Sequence, residues 1–147
     1  GLFKYVHEIS LFDEHHFEHE FFIRIAQSFP FLKVLSINNW TSQKHKSSRT
    51  LNNDNKHFTI IKYPHLIKLY LYCVNVNYVE QFLDHRKTAI SNNMSLFIEY
   101  RHLRKATYNF TRDDMRVNCS KLSEIHIMGP YKISERLKGY FPYVKGL

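Results

Sequence analysis

The densest group of residues able to do chemistry is the segment 13–20, which reads Asp-Glu-His-His-Phe-Glu-His-Glu. His15 and His19 are four residues apart, so on a helix they share one face at a spacing that can chelate zinc. The metalloprotease form of this motif needs a glutamate directly after the first histidine, but His16 stands there, and no motif supplies a third ligand. The two acids that open the segment suit a helix start, where carboxylates meet free N–H groups and the positive end of the helix dipole. The sequence therefore predicts helix capping and a solvated helix face here, with no metal site. The alternative is a small metal-dependent enzyme centred on His15 and His19.

No arrangement typical of covalent catalysis or phosphate binding occurs. Cys73 and Cys119 have no histidine or aspartate at a spacing used by known nucleophile families, and two cysteines are too few for a disulfide framework. The four glycines are scattered, so there is no glycine-rich phosphate loop. We therefore predict two reduced thiols, no enzymatic activity and no cofactor.

The charge of the chain leaves a second class of function open. A net charge of +8 and a pI near 9.5 are compatible with a nucleic-acid partner. The basic residues are scattered, however, and 13 acidic residues are interleaved with them. A solvated basic surface is therefore favoured, and a nucleic-acid-binding basic domain is the alternative. That alternative would use Lys44, Lys46, Arg49, Arg101, Arg104 and Lys105.

The apolar segments are short. None approaches the roughly 20 residues that span a bilayer, and Lys4, His7 and Glu8 interrupt the apolar residues at the start, so no secretory signal is recognised. We expect no membrane association and a location in the cytoplasm or the nucleus.

Three of the four prolines occur in one context, which is the clearest internal repeat. Residues 29–32, 63–66 and 141–144 all read aromatic-Pro-x-aliphatic, and each leads into a further leucine three residues on. Proline fixes φ and cannot donate to a hydrogen-bond ladder, so it suits the corner before a strand. The aliphatic residues that follow alternate with a period of two, which predicts a short strand.

Five segments carry this alternation, and helical periodicity lies between them. Taking Ile9, Leu35, Leu69, Ile98 and Ile125 as equivalents, the intervals are roughly 26, 34, 29 and 27 residues. Apolar residues share one helical face within 17–29, 77–84, 102–110 and 133–140. Strands alternating with helices predict parallel strands stacked in register. The polar stretch 41–57 in the longest interval is expected to be a mobile loop insertion.

These repeats resemble those of F-box/leucine-rich-repeat proteins. The resemblance rests on Phe-Pro-Phe-Leu-Lys-Val-Leu-Ser-Ile-Asn-Asn at 29–39 and Pro-His-Leu-Ile-Lys-Leu-Tyr-Leu at 64–71, and it covers nearly the whole chain. It implies an α/β fold, an irregular leucine-rich-repeat solenoid with short parallel strands on the concave face and helices or helical turns on the convex face. Residues 1–147 would form a single domain fragment of about five repeats.

The same resemblance implies a function. In that family the repeats capture a substrate, and a separate F-box recruits the ubiquitin-ligase machinery. No F-box-like Leu-Pro segment precedes the first strand here, so the resemblance implies the substrate-recognition side alone. The asparagine that closes the strand turn is clear only at Asn38 or Asn39, while Tyr72 and Met128 stand in related places, so a regular asparagine ladder is not expected.

Strand alternation predicts which side chains reach a partner protein. The aliphatic residues Ile9, Leu11, Leu35, Ile37, Leu69, Leu71, Leu96, Ile98, Ile125 and Ile127 should point inward. Exposed Tyr, Phe and Met among mixed charges suit a protein interface; the alternative is that Phe12, Tyr72 and Phe97 cover strand ends or pack under loops. The predicted partner-binding residues on the concave face are Glu8, Ser10, Phe12, Ser36, Asn38, Lys68, Tyr70, Tyr72, Phe97, Glu99, Glu124, His126 and Met128.

The two ends of the chain should be open. A strand begins close to Gly1, and Leu147 lies inside a further repeat. A solenoid needs polar caps on its terminal repeats. We therefore expect marginal stability and self-association of the isolated chain.

Overall fold

The computed structural model describes residues 3–12, 15–41, 43 and 59–147. Of the predicted loop insertion, only Thr41 and Gln43 fall among these residues. Asp13 and Glu14, the two acids predicted to cap a helix, lie outside the described residues.

The described residues form seven strands and five helices. The five predicted strands are all present; four of the helices fall between them, and the fifth follows the last strand. In chain order the elements are β1 (Glu8–Phe12), α1 (His19–Ser28), β2 (Val34–Asn39), β3 (Ile61–Lys62), β4 (Lys68–Val74), α2 (Val76–Leu83), β5 (Thr88–Ala89), β6 (Ser95–Glu99), α3 (Tyr100–Ala106), α4 (Asp113–Cys119), β7 (Glu124–Met128) and α5 (Glu135–Tyr140).

Five strands form one sheet in the order β1-β2-β4-β6-β7, and every neighbouring pair is parallel. The strands therefore lie side by side in the order in which the chain makes them. A separate parallel pair, β3 with β5, was not predicted. The architecture is mixed α/β with a parallel five-stranded sheet, and this fold class is the one that the sequence predicts.

The register corrects one predicted equivalence. Leu96, and not Ile98, aligns with Leu69 of β4, while Ile98 aligns with Leu71. The error is a shift of two residues, which a period of two cannot reveal because the same side chains still point inward. Met94, two residues before Leu96, is fully buried. The row of equivalents is Ile9, Leu35, Leu69, Leu96 and Ile125.

The inward side chains of the sheet pack into the hydrophobic core. Those of the three central strands are at most 2% exposed, whereas those of β1 and β7 are only partly buried. Each of these two edge strands has a neighbour on one side only, so less of its surface is covered. The alternation itself is as predicted in all five strands.

The helices differ from the sequence prediction mainly at their ends. Helix α2 lies within one residue of the predicted span, but α3 ends at Ala106. Tyr108, Asn109 and Phe110 then have φ values of 51°, 57° and 61°, a left-handed conformation that cannot continue a helix. Ile133, predicted for the apolar face of the last helix, precedes α5 and is 48% exposed. Helix α4 was not predicted.

Candidate functional site

The outward side chains of the five parallel strands form one surface, which we call the sheet face. All the predicted partner-binding residues belong to it, because each occupies an outward position of its strand. Phe12 and Met128 are 80% and 48% exposed. The remaining members are either exposed (Glu8, Ser10, Lys68, Glu124 and His126) or half-buried (Ser36, Asn38, Tyr70, Tyr72, Phe97 and Glu99).

Ring side chains from three neighbouring strands stack on the sheet face. Tyr70 pairs in register with Phe97, and Phe97 with His126. The Tyr70 and Phe97 ring centroids are 4.2 Å apart at an interplanar angle of 17°, and those of Phe97 and His126 are 4.3 Å apart at 4°. Neighbouring strands lie about 4.8 Å apart, so in-register rings on parallel strands meet face to face.

Tyr72 completes this group, which we call the aromatic ladder (Tyr70, Tyr72, Phe97 and His126). Its ring lies 6.2 Å from both Tyr70 and Phe97 at steep angles of 70° and 87°. The sheet is irregular at this point: the register between β2 and β4 shifts beyond Ser36. Rings held by their neighbours lose little conformational freedom on binding, which favours their use as contact surface.

Charged residues border the ladder. Glu124 accepts a hydrogen bond from Ser95 Oγ at 3.3 Å and is also bonded to His126 Nε2. The hydrogen bond from His126 lowers the pKa of Glu124, and the positive charge of Lys68 acts in the same direction. Glu99 accepts from Arg101 Nε at 2.8 Å. The ladder therefore lies between carboxylates on both sides.

The sign of charge on the sheet face differs from that of the chain. The outward strand positions hold three carboxylates, of Glu8, Glu99 and Glu124, and one ammonium group, of Lys68. The chain as a whole has a net charge of +8. Arg101, at the border, offsets Glu99. The sheet face is thus the less basic side of a basic protein.

The histidine cluster is organised differently from the sequence prediction. His19 is buried: its Nε2 donates to the Thr59 carbonyl at 2.8 Å, and its Nδ1 accepts from Gln81 Nε2 at 2.9 Å. His15 lies before the start of α1 and is exposed, so the two histidines do not share a helical face. The prediction of a solvated face is wrong for His19. In the part of the chain that the structure describes, no group of three or more potential ligand side chains is placed to hold a metal.

Gln43 also departs from its prediction. It was expected in a solvated loop, but it is 2% exposed. Its Nε2 donates to the Phe17 carbonyl at 3.0 Å and to Gln81 Oε1 at 3.1 Å. Backbone and amide partners let this polar side chain enter the interior. The start of the polar stretch is therefore tied to α2.

A cluster of charged residues lies on the helix side of the sheet, between α2 and α4. We call it the buried ion network: Glu80, Asp84, Arg86, Lys87, Arg112 and Asp114. Arg112 donates to Glu80 Oε2 at 2.9 Å and to Asp114 Oδ2 at 3.1 Å, and Arg86 donates to Asp84 from Nε at 3.0 Å and from a terminal nitrogen at 2.8 Å. Glu80, Asp84 and Lys87 are each at most 2% exposed.

Sequence reasoning missed this network. The only local signal is the close spacing of acid and arginine in Asp84-His85-Arg86 and in Arg112-Asp113-Asp114. Such pairs are common on surfaces, so they do not indicate burial. Burial lowers the pKa of Lys87, although the neighbouring carboxylates of Asp84 and Glu80 oppose that shift.

The residues proposed for nucleic-acid binding are only partly described. Arg101, Arg104 and Lys105 are exposed on α3 and line a shallow groove with Tyr100, Tyr108, Asn109 and Pro130. The other three, Lys44, Lys46 and Arg49, lie outside the described residues. The structure thus brings three of the six cations to one groove.

Both cysteines are free thiols, as predicted. Cys73 is partly exposed at the end of β4, and Cys119 is fully buried. Burial raises the pKa of Cys119 strongly, which disfavours the thiolate.

Across residues 3–12, 15–41, 43 and 59–147, no helix combines the length and hydrophobicity needed to cross a bilayer. No protein-family model matches the chain, and neither the curated proteins nor the solved structures provide a significant match.

Proposed function

We propose that this chain is a protein–protein interaction scaffold that binds a partner protein on the sheet face. The observation that carries the proposal is the aromatic ladder. Tyr and Phe are enriched in the buried core of protein interfaces, and here they are held by their neighbours before binding. The carboxylates and the lysine around the ladder supply a polar rim.

We also propose the finer architecture and role that the sequence resemblance implies. The parallel strands, arranged in chain order with helices between them, are compatible with an irregular leucine-rich-repeat solenoid whose concave surface is the sheet face. In that case the chain is the substrate-recognition part of an F-box-type ubiquitin ligase. Its partner is then a protein destined for ubiquitylation, in the cytoplasm or the nucleus.

Comparative capture tests the scaffold. The purified chain and its Tyr70→Ala/Tyr72→Ala variant are immobilised, and proteins retained from a cell extract are quantified by mass spectrometry. Tyr5→Ala/Tyr143→Ala is the matched control, because these tyrosines are 90% and 73% exposed and lie outside the ladder. We expect specific proteins to be lost from the ladder variant and kept by the control. Undiminished capture by the ladder variant contradicts the proposal.

The ligase role requires a separate measurement. A partner identified in this way should be degraded more slowly in cells whose copy of the protein carries the ladder substitutions. Its half-life is followed after translation is stopped, with and without a proteasome inhibitor. An unchanged half-life would exclude the ligase role and leave the scaffold proposal intact.

The groove on α3 favours nucleic-acid binding as a second candidate. Arg101, Arg104 and Lys105 line it together with two tyrosine rings, and no carboxylate belongs to its lining. Cations that follow a backbone and rings that stack on bases are the usual elements of single-strand binding. Binding of a labelled 12-nucleotide RNA at low salt, weakening steeply as salt is added, would support it. No affinity at low salt, or equal affinity of Arg104→Gln/Lys105→Gln, would exclude it.

A further inference from the structure

The aromatic ladder ends abruptly at Tyr70. The residues in register with Tyr70 on the next two strands are Ser36 on β2 and Ser10 on β1. One row across the sheet therefore consists of three stacked rings followed by two serines. One face of the Tyr70 ring packs against Phe97, and its other face is turned toward the serines.

The two serines leave room for a planar group beside Tyr70. Ser36 is half-buried and Ser10 is exposed, and neither side chain extends as far from the sheet as a ring. Strands are spaced by about 4.8 Å, so a planar group held above Ser36 would lie at stacking distance from Tyr70. Asn38 and Phe12, the next outward residues of β2 and β1, border this position on one side. We call the position the Tyr70 slot (Glu8, Ser10, Ser36, Asn38 and Tyr70).

A carboxylate lies at the opposite border of the slot. Glu8 is the outward residue before Ser10 on β1, and it is exposed. It forms no ion pair with any other residue in the described part of the chain. Lys68, the outward residue before Tyr70 on β4, lies across Val34 from Glu8 and borders the slot from the other strand. Its positive charge acts on Glu124 of β7. The carboxylate of Glu8 has no ion-pair partner among the described residues and is therefore available to a positively charged group.

We propose that the Tyr70 slot takes an arginine side chain of the partner protein, with its guanidinium stacked on Tyr70 above Ser36 and paired with Glu8. This inference rests on the proposed function and names the chemistry of the partner. A guanidinium is planar, stacks on aromatic faces and carries donors that match a carboxylate. An ammonium group cannot continue a stack, and a neutral ring gains nothing from Glu8. Arginine is the side chain that uses both features.

Titration with single amino-acid derivatives tests the slot directly. The ¹⁵N-labelled chain is titrated with N-acetyl-arginine amide, N-acetyl-lysine amide and N-acetyl-citrulline amide, and backbone amide shifts are followed by NMR. The arginine derivative should shift the signals around Ser36 and Tyr70 and bind about fivefold more tightly than the other two, which corresponds to about 1 kcal/mol. Equal binding of all three derivatives would overturn the proposal.

Two variants localise the effect. Ser36→Phe fills the slot and should abolish the arginine-dependent shifts. Glu8→Gln keeps the shape of an exposed side chain, and it should reduce arginine binding to the level of citrulline without altering the rest of the spectrum. If Glu8→Gln folds as the wild type does and binds arginine equally well, the proposal fails whatever Ser36→Phe does.

A peptide selection separates this inference from the proposed function. Random 12-residue peptides displayed on phage are selected on the wild-type chain after counter-selection on Ser36→Phe. Enrichment of arginine supports the slot. Peptides that depend on Tyr72 and Phe97 but lack arginine overturn the slot and keep the scaffold. Absence of any peptide that depends on the ladder counts against both.

Discussion

The two sides of the sheet reverse the usual placement of residue types. On the sheet face, rings of the aromatic ladder remain partly exposed, whereas on the helix side six charged residues form a network whose centre is buried. Large apolar rings are usually interior and charges are usually solvated. The rings keep exposed area that binding can cover. The charges fix how α2 and α4 meet. The comparison separates a surface organised for contact from an interior organised for a specific packing.

Two arginine–glutamate ion pairs, one on each side of the sheet, show the same difference in burial. Arg112 and Glu80 are 2.9 Å apart with side chains 7% and 3% exposed, whereas Arg101 and Glu99 are 2.8 Å apart with side chains 68% and 23% exposed. The distances are nearly equal, so burial is the main difference. Removing one partner of a buried pair leaves a charge without compensation, while a surface pair is screened by water.

The largest effect on the stability of the fold is expected from replacing Arg112. Arg112→Met should lower the free energy of unfolding by about 3–5 kcal/mol, because Glu80 stays buried without its arginine. Arg101→Met, the matched surface variant, should change it by no more than about 1 kcal/mol. Urea unfolding followed by circular dichroism measures both values. Similar losses for the two variants would erase the proposed difference between the two sides.

The next effect concerns His19. His19→Ala should cost about 1–3 kcal/mol, because the Thr59 carbonyl and the Gln81 amide lose their buried partner. His15→Ala, at an exposed position, should change stability by less than about 0.5 kcal/mol. The same urea titrations are repeated with added zinc. Stabilisation by zinc that disappears in both variants would restore the metal hypothesis.

Lys87 predicts a dependence of stability on pH. Burial lowers its pKa in the folded state, so between that value and the ordinary pKa of about 10.4 the unfolded chain holds more protons. The contribution of Lys87 to stability should therefore rise with pH in this window, by at most about 1.4 kcal/mol per pH unit. Burial raises the pKa of Cys119, so this thiol lowers stability as the pH rises through its ordinary pKa of about 8.5. Unfolding of the wild type and of Lys87→Met is therefore compared from pH 7 to about 9.5, because Cys119 and the tyrosines contribute equally to both chains. The wild type should gain stability relative to Lys87→Met as the pH rises, and an unchanged difference would assign the pH dependence to another group.

The smallest effect on stability is expected on the sheet face. Phe97→Ala should cost only about 1 kcal/mol, because the ring is partly exposed and its stacking contacts are individually weak. Leu96→Ala, one residue away but fully buried, should cost about 2–5 kcal/mol. Partner capture should show the opposite order, with Phe97→Ala losing the partner. A large destabilisation by Phe97→Ala would reassign the ladder to the core.

Local sequence patterns were sufficient to predict features that depend on a few consecutive residues, such as a single strand or the corner before it. Proline at 30 and at 64 precedes β2 and β4, and the aliphatic alternation of all five strands gave the inward and outward sides correctly. The same logic failed for Ile98, since a shift of two residues leaves the pattern unchanged. It also failed for α4, a seven-residue helix with charged residues in its first turn and a single apolar pair at i, i+4, Met115 and Cys119.

The membership of the sheet face followed from alternation within single strands, because period-two geometry is determined by consecutive residues. The stacking of Tyr70 on Phe97 and His126 did not, since it depends on which strands become neighbours and in which register. The buried ion network likewise joins Glu80 of α2 to Arg112, which directly precedes α4 and lies 32 positions further along the chain. Charged residues are usually exposed to solvent, so the sequence alone predicts a solvated surface for all of them. Only the packing of α2 against α4 determined which members of the buried ion network would be enclosed and paired.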